Sequence, residues 1–317
     1  MSGKVESFEC CLAFFFMLQF FHRASPVGRP ERNCNYMKKL KKLLLTLSVL
    51  AVAVAMLMPT ASAASLPGST VSVTHNGREI LPGACRLINS VTYVPLRAFA
   101  DEMGDFSISW NGSTSTATIK NSGLSLSAPV GKLYIVANDR CFYTVEKVLN
   151  LNGTVYVPIR PIAKAFGLEV GWSNSSRSVT LTGSGKNYCT SGARFYSEDE
   201  VYWLSRIINA EAGAEPFLGK IAVGNVVLNR VADSRYPNTI YQVIFDKKYG
   251  TQFTPAANGT IYKTPNAESI LAAKICLEGY SLNSEMLFFL NPDIAENFWI
   301  VQARKFVFSI GNHDFYK

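Results

Sequence analysis

The stretch RIINAEAGAEPFLGKIAVGNVVLNR, residues 206–230, places two glutamates between two apolar runs. Apolar residues lead into it at helical spacing, namely Val201, Leu204 and Ile208. This spacing defines the buried face of a helix, and Glu211 continues that face. Gly213 is a helix stop and Pro216 favours a new helix start. The stretch therefore predicts two helices joined by a tight turn, with Glu211 near the end of the first.

Glu211 is the candidate catalytic residue. Burial disfavours its carboxylate form and the negative end of the helix dipole repels it, so both effects raise its pKa. Cleavage of a glycosidic bond needs a carboxylic acid that remains protonated near neutral pH. The alternative interpretation is an exposed charge at a helix end.

Glu215 stands in a different position. It precedes Pro216, which biases it out of the first helix, and it lies at the entry to the second helix, where negative charge is stabilised. One interpretation is a simple helix N-terminal charge. The other is a substrate-positioning group or a second carboxylate in the cleft, and the sequence leaves both open.

A capping box marks the start of a C-terminal domain. Ser197 stands three residues before Glu200 and directly ahead of an apolar helical run, which is typical of a helix N-terminus. Residues 183–197, GSGKNYCTSGARFYS, are rich in Gly and Ser and predict a linker. We therefore expect a domain at residues 198–317.

Residues 37–63 have the three parts of a signal peptide. Lysines follow Met37, an apolar run continues to Met58, and small residues up to Ala63 form a cleavage site. The apolar run is shorter than the ~20 residues that a membrane span needs. We therefore expect an exported protein with no lasting membrane anchor, and we interpret residues 1–36 as an upstream start rather than a domain.

The net charge of +8 is concentrated in the leader. Residues 1–63 hold eight Lys and Arg against three Asp and Glu, which leaves 23 against 20 for the remainder. A nearly balanced chain lacks the basic footprint of a nucleic-acid-binding protein, so we expect no nucleic-acid partner.

Residues 64–182 contain an internal repeat. YVPLR at 93–97 recurs as YVPIR at 156–160, and each copy is followed by a glycine and a tryptophan. Each copy predicts a strand, a short helix and two further strands. Since one copy is too small to bury a core, we expect the pair to pack as one module.

This pattern resembles the copper amine oxidase N-terminal-like domain, a module found duplicated in exported bacterial proteins. The resemblance implies a binding or spacing module of unknown ligand and no redox function, because a copper site needs imidazole ligands and only His75 and His313 follow the leader. Four aromatic residues form either a sugar-stacking face or part of the core, namely Tyr93, Tyr156, Trp110 and Trp172.

Residues 199–317 resemble the catalytic domain of the SleB/CwlJ cell wall hydrolases, the spore cortex-lytic family. The matching pieces come in the family's order: NAEAGAEPFLGKIAVGNVVLNRV, QFTP, LFFLNP and GNHDFY. The resemblance implies a mainly helical, lysozyme-like fold with a small β element, acting on peptidoglycan glycan strands. It maps the catalytic glutamate onto Glu211. Substrate contacts map onto Glu215, Gln252, Phe253, Thr254 and Asn291.

The cysteines and histidines give little support to other site chemistries. Four cysteines follow the leader without the C-x-x-C spacing of a zinc site, namely Cys85, Cys141, Cys189 and Cys276. A Cys85–Cys141 disulfide is the preferred prediction, and buried free thiols are the alternative. Cys276 lies in a helical run with no motif to activate it, which argues against a cysteine peptidase. We expect no metal and no cofactor.

The sequence predicts an α+β protein, with a duplicated β-rich module, a linker and a mainly helical domain with a small β element. We expect a secreted, cell-wall-associated enzyme that cleaves between N-acetylmuramic acid and N-acetylglucosamine, as a lytic transglycosylase. The alternatives are a non-catalytic wall-binding protein and a muramidase-type hydrolase with a second carboxylate, for which Asp233 and Asp246 are further candidates. The sequence does not distinguish vegetative wall from spore cortex.

Overall fold

The computed structural model describes four parts of the chain: residues 39–44, 66–248, 250–295 and 298–317. Residues Ser65–Lys317 form one compact unit. The expected upstream segment 1–36 and the expected signal peptide 37–63 lie outside the described residues, except for the helical residues 39–44. Within the described parts, no helix combines the length and apolarity needed to cross a membrane.

The N-terminal module consists of short strands and two helices. The strands are β1 (Ser69–Thr70), β2 (Ser72–His75), β3 (Arg78–Ile80), β4 (Arg86–Ile88), β5 (Val91–Pro95), β6 (Ser107–Asn111), β7 (Thr116–Lys120), β8 (Ser125–Pro129), β9 (Tyr134–Ala137), β10 (Arg140–Tyr143), β11 (Leu149–Leu151), β12 (Thr154–Pro158), β13 (Glu169–Ser173) and β14 (Ser178–Thr182). The helices are α1 (Leu96–Met103) and α2 (Ile159–Ala165). Pro95 and Pro158 are their N-caps, as expected for a residue whose φ already suits a helix start.

The two copies of the repeated motif pair with each other at the centre of the module. β5 and β12 are antiparallel, with Val94 opposite Val157. The register is symmetric, because the tyrosine of each copy stands opposite the proline of the other. The pair lies inside a five-stranded sheet of order β1-β4-β5-β12-β11.

Each copy also shares its last hairpin with strands of the other copy. β13 and β14 join β2 and β3 in a four-stranded sheet, in which β14 runs parallel to β2. β6 and β7 join β9 and β10 through β8 in a five-stranded sheet. Because an isolated hairpin is marginally stable in water, neither copy could hold its fold alone, and buried residues of both form one core.

The four aromatic candidates of the module divide into two kinds. Tyr93 and Tyr156 are 1% and 5% exposed, so they are core residues. Trp110 and Trp172 are 50% and 47% exposed. The core interpretation is therefore confirmed for the tyrosines, and the tryptophans remain available for contact with a ligand.

The expected linker, residues 183–197, contacts both of its neighbours. Tyr188 packs against the core of the module. A single helical turn follows, α3 (Gly192–Phe195). The hydroxyl of Tyr196 then donates to the carboxylate of Glu278 in the C-terminal domain, at 2.8 Å.

The C-terminal domain is mainly helical. Its helices are α4 (Glu198–Ala212), α5 (Phe217–Ala232), α6 (Ile240–Ile244), α7 (Thr254–Asn258), α8 (Ala267–Leu277) and α9 (Trp299–Ala303), and its strands are β15 (Phe288–Leu290), β16 (Phe306–Ile310) and β17 (His313–Tyr316). Helices α4, α5 and α8 pack against one another, and the strands form an antiparallel sheet of order β15-β17-β16. The predicted α+β class is confirmed, with a β-rich module followed by a mainly helical domain with a small β element.

Strand β10 packs the module against α8 of the C-terminal domain. Cys141 lies in the core of the C-terminal domain, and Tyr143 stacks on Tyr280 with ring centres 3.8 Å apart. Arg140 holds both carboxylate oxygens of Glu278, each at 2.7 Å. The two domains are therefore joined by apolar and charged contacts within one compact unit.

The predicted Cys85–Cys141 disulfide is wrong. Both cysteines are free, and they belong to different cores, Cys85 to that of the module and Cys141 to that of the C-terminal domain. Burial raises the pKa of each thiol to about 12, which agrees with the alternative of buried free thiols. Cys276 is likewise buried and free, and burial raises the pKa of its thiol.

Candidate active site

The turn between α4 and α5 forms where the sequence predicts it. The Ser197 hydroxyl caps α4 by accepting a hydrogen bond from the Glu200 amide at 3.5 Å. Gly213 ends the helix, and a Cβ there would come within 2.5 Å of the Asn209 carbonyl oxygen. Pro216 is the N-cap of α5. The lack of a side chain at Gly213 allows the close turn that brings the two helices together.

Glu211 lies in the last turn of α4 and is half-buried. Burial raises the pKa of its carboxyl from 4.5 to about 7, and the positive charge of Arg230 offsets part of this effect. The raised pKa that the helix face predicts is thereby confirmed. Near neutral pH a large fraction of Glu211 carries its proton, as a general acid requires.

Arg230, on α5, lowers the pKa of this carboxyl through its positive charge. It was not among the predicted site residues. It is 5% exposed, and its Nε donates to the carbonyl oxygen of Leu287 at 2.8 Å. Its Nη1 donates to Oε1 of Gln252 at 3.4 Å, and its guanidinium lies 5.1 Å from the ring centre of Phe253. Two predicted substrate residues are thus joined to the cation that acts on Glu211.

The sequence contains a signal that could have identified Arg230. It stands in the apolar helical run VVLNRV, and an arginine is rarely fully buried unless it is paired. Burial lowers the pKa of its guanidinium, whereas Tyr236, Asp246 and Glu211 raise it. Glu211 and Asp246 therefore both interact with this one buried cation.

Glu215 is held by the last hairpin of the chain. It is 8% exposed, and its two carboxylate oxygens accept hydrogen bonds from the Asn312 main-chain amide and from Asn312 Nδ2, both at 2.9 Å. Burial raises the pKa of Glu215, but these hydrogen bonds lower it by more than burial raises it. The net shift of the pKa is therefore downward. Gly311 is required beside it, because a Cβ there would overlap the carboxylate.

His313 and Lys220 complete the surroundings of Glu215. His313 Nδ1 lies 3.9 Å from Glu215 Oε1, and burial lowers the pKa of the imidazole. Lys220 is buried, and its Nζ donates to the main-chain oxygen of Glu215 at 2.6 Å. The same Nζ lies 3.3 Å from a carboxylate oxygen of Glu268 on α8. Lys220 therefore ties the turn between the two glutamates to a third helix.

The remaining predicted site residues lie at the start of α7, after β15 and at the end of α5. Thr254 is exposed at the first position of α7. Asn291 is half-buried after β15, and its Oδ1 accepts from the amide two residues on, at 3.0 Å. Asp233 is half-buried, and hydrogen bonds from Arg235 lower the pKa of its carboxyl to about 2, which makes it a poor second carboxylate.

The described donor groups do not fit a copper site. In the part of the chain that the structure describes, no three His, Cys, Asp or Glu side chains are grouped so that they could hold a metal ion. His75 Nε2 instead lies 2.8 Å from the carbonyl oxygen of Gly183. His313 packs edge-on against Phe289, with ring centres 5.3 Å apart.

Each half of the chain matches a known protein family. Residues 214–316 match the Cell Wall Hydrolase family. The C-terminal domain belongs to this family. The matched part of the cell wall hydrolase domain includes Glu215 and Arg230 and begins three residues after Glu211. Residues 74–181 match the Copper amine oxidase N-terminal domain, a segment that contains both copies of the repeat.

Curated proteins similar to the cell wall hydrolase domain include spore cortex-lytic enzymes. The enzyme of Bacillus cereus is 32% identical over 151 residues, which are 48% of this chain and 57% of the relative. That of Bacillus subtilis is 33% identical over 120 residues, 38% of each chain. This chain thus spans about half or less of the length of these relatives.

A solved structure is also similar in sequence to the cell wall hydrolase domain. It is the catalytic domain of the germination-specific lytic transglycosylase SleB from Bacillus anthracis, which is 34% identical. The match covers 38% of this chain and 97% of that chain, with a TM-score of 0.35.

Proposed function

We propose that this chain cleaves the glycan strands of peptidoglycan between N-acetylmuramic acid and N-acetylglucosamine, with Glu211 as the acid. The observation that carries the proposal is a half-buried carboxyl at the end of α4 whose pKa is raised to about 7. An acid with this pKa donates a proton efficiently near neutral pH. Support also comes from the family of the domain and from relatives named as spore cortex-lytic enzymes.

The reaction that best fits one raised carboxyl is that of a lytic transglycosylase. Protonated Glu211 gives its proton to the oxygen that leaves with N-acetylglucosamine, and the bond to the anomeric carbon of the muramic residue breaks. The resulting carboxylate then takes the proton of the muramic 6-hydroxyl, whose oxygen attacks that anomeric carbon. The proximity of an intramolecular nucleophile replaces a positioned water, and Glu211 returns to its acid form.

Neighbouring residues have distinct roles in this proposal. Arg230 moderates the pKa of Glu211 and holds Gln252 and Phe253, which we propose line the cleft with Thr254 and Asn291. Glu215 remains ionised, and both its oxygens already accept hydrogen bonds. We therefore assign to Glu215 mainly the positioning of the turn.

The proposed setting is the exterior of a bacterial cell. We infer export from the signal-peptide pattern at residues 37–63, and the mature chain would then comprise a module at 64–182, a connecting segment at 183–197 and the cell wall hydrolase domain at 198–317. The substrate would be wall or cortex peptidoglycan, reached without a lasting membrane anchor.

A hydrolytic mechanism is the second candidate, because Asp246 interacts with the same arginine as Glu211. Its carboxylate would activate a water on the opposite face of the sugar, as in two-carboxylate glycosidases. This route predicts products with reducing muramic ends.

Mass spectrometry of a peptidoglycan digest distinguishes the two reactions. Transglycosylation predicts muropeptides ending in 1,6-anhydromuramic acid, each lighter by one water than the hydrolysed product. Reducing muramic ends as the sole product would contradict the transglycosylase and support the hydrolase. Asp246→Asn should leave the anhydro products unchanged if Glu211 acts alone.

A further inference from the structure

An open cavity of about 710 Å³ lies between the module and the cell wall hydrolase domain. Trp172, Arg160 and Tyr143 of the module contribute to its wall, and Tyr280 contributes from the other domain. Its volume falls within the ~300–1,000 Å³ range of sites for small ligands. None of the proposed catalytic or cleft residues lines it, so it is a separate site.

Trp172 presents a flat apolar surface at this cavity. The side chain is 47% exposed, and its indole Nε1 donates to Asn174 Oδ1 at 2.8 Å. The polar edge of the ring is therefore already bonded, whereas much of the ring remains open. An aromatic ring held in this way suits the apolar face of a sugar, because little side-chain entropy is lost on binding.

Arg160 gives the cavity an available positive charge. It is exposed and has no hydrogen-bond or ion-pair partner among the described residues. The acidic residue of the wall, Glu278, is already paired with Arg140 at 2.7 Å and with Lys164 at 3.1 Å, so its carboxylate is not available to Arg160. Arg160 is therefore free to bind a carboxylate, for which the planar guanidinium is well suited.

The wall where the domains meet is already formed. Tyr143 stacks on Tyr280 at 3.8 Å, and the side chain of Glu278 is 3% exposed within its ion pairs. Since these contacts fix the relative position of the two walls, a ligand would not have to order them, which favours binding.

We propose that this cavity binds a muramoyl unit of peptidoglycan, with the sugar ring on Trp172 and its pendant lactyl or peptide carboxylate on Arg160. This inference rests on the proposed function. It assigns to the module the role of binding the substrate at a second position, remote from the catalytic glutamate. Because a muramoyl unit carries both a sugar face and a carboxylate, the cavity would distinguish it from an uncharged glycan.

The sequence repeat supplies matched controls. Trp110 and Arg97 hold the corresponding positions in the first copy of the motif. Both are exposed, Trp110 to 50%, and neither lines the cavity. Replacing them makes the same chemical changes on the same fold, outside the proposed site.

The test measures binding by full-length protein carrying Glu211→Gln, so that the ligand is not consumed. The probes are a soluble muramoyl-peptide tetrasaccharide and chitotetraose, which lacks carboxylates. Trp172→Ala and Arg160→Ala should each weaken tetrasaccharide binding by about tenfold, while Trp110→Ala and Arg97→Ala leave it unchanged. Chitotetraose should bind more weakly, and its affinity should not respond to Arg160→Ala. Equal effects at the paired positions would overturn the proposal.

Two further arms separate this inference from the proposed function. With Glu211 intact, Trp172→Ala should slow the clearing of sacculi but preserve the identity of the products. If the parent chain clears nothing while the binding contrast persists, the cavity proposal stands and the proposed catalysis fails. If the protein does not bind the tetrasaccharide and binds sacculi only while they carry teichoic acid, the ligand is a phosphate polymer and the cavity proposal is wrong.

Discussion

Glu211 and Glu215 carry the same functional group four positions apart, yet their environments shift their pKa values in opposite directions. Glu211 is half-buried, and burial raises its pKa to about 7. Glu215 accepts two hydrogen bonds from Asn312, which lower its pKa despite burial. When the pKa values of two carboxyls are shifted apart in this way, the group with the raised pKa is the acid and the other remains a carboxylate.

The first prediction concerns the pH dependence of cleavage. Because Glu211 must be protonated to donate, the rate of clearing should decline as pH rises through about 7. Initial rates on purified peptidoglycan from pH 5 to 9 measure this decline. A rate that is constant up to pH 9 would contradict the assignment of Glu211 as the acid.

The second prediction concerns stability. The folded pKa of Glu211 is raised from 4.5 to about 7, so ionisation costs the folded state stability as pH rises between these values. Glutamine cannot ionise and avoids this cost. Glu211→Gln should therefore gain up to about 3 kcal/mol in free energy of unfolding over wild type between pH 4 and pH 8. Urea unfolding at both values measures the gain, and an equal difference at both would show that Glu211 is solvated.

At this scale the sequence predicts the burial and the raised pKa of Glu211 but not the residues that surround it. The spacing of Leu204 and Ile208 places Glu211 on the buried face, and burial is the main cause of its raised pKa. Arg230 follows Glu211 by 19 positions and lies on the next helix, whereas Asn312 follows Glu215 by 97 positions. No local pattern connects them to Glu211 or Glu215, because their approach depends on the packing of α5 and on the last hairpin.

At the scale of elements, the α4–turn–α5 unit depends on a buried lysine. Lys220 joins the main-chain oxygen of Glu215 to Glu268 on α8. The turn was predictable, since Gly213 and Pro216 are strong local signals. The lysine was not, because a charge four positions into an apolar helix usually points to solvent.

The third prediction tests this lysine. Lys220→Met keeps most of the side-chain volume but leaves the Glu215 carbonyl without its charged donor, so the free energy of unfolding should fall by about 1–3 kcal/mol. Lys263→Met is the control, because Lys263 is exposed and its replacement should change stability by less than about 0.5 kcal/mol. Similar small effects for both variants would mean that the Lys220 bonds do not stabilise the turn.

At the scale of the whole molecule, the module and the cell wall hydrolase domain share a buried ion pair. Arg140 and Glu278 have side chains that are 11% and 3% exposed. The duplicated motif was readable from the sequence, but the exchange of hairpins between its copies was not. Likewise the failure of the Cys85–Cys141 prediction follows from β10, which carries Cys141 into the other domain's core.

The fourth prediction measures how strongly the two domains are joined. Arg140→Met leaves Glu278 with Lys164 as its remaining charged partner, and breaking a buried pair in this way should cost about 3 kcal/mol. Arg78→Met is the matched control, because the Arg78–Glu102 pair is on the surface with Arg78 68% exposed, and its loss should cost less than about 1 kcal/mol. Equal thermal shifts for the two variants would show that the domain contact contributes little.

The most direct test of the central claim is the clearing of purified peptidoglycan by Glu211→Gln. The matched control is Glu198→Gln, which replaces an exposed glutamate in the first turn of the same helix. Circular dichroism should show both variants folded. The account predicts that Glu211→Gln loses at least about 100-fold in clearing rate while Glu198→Gln clears like wild type. If Glu211→Gln clears as fast as wild type, Glu211 is not the acid.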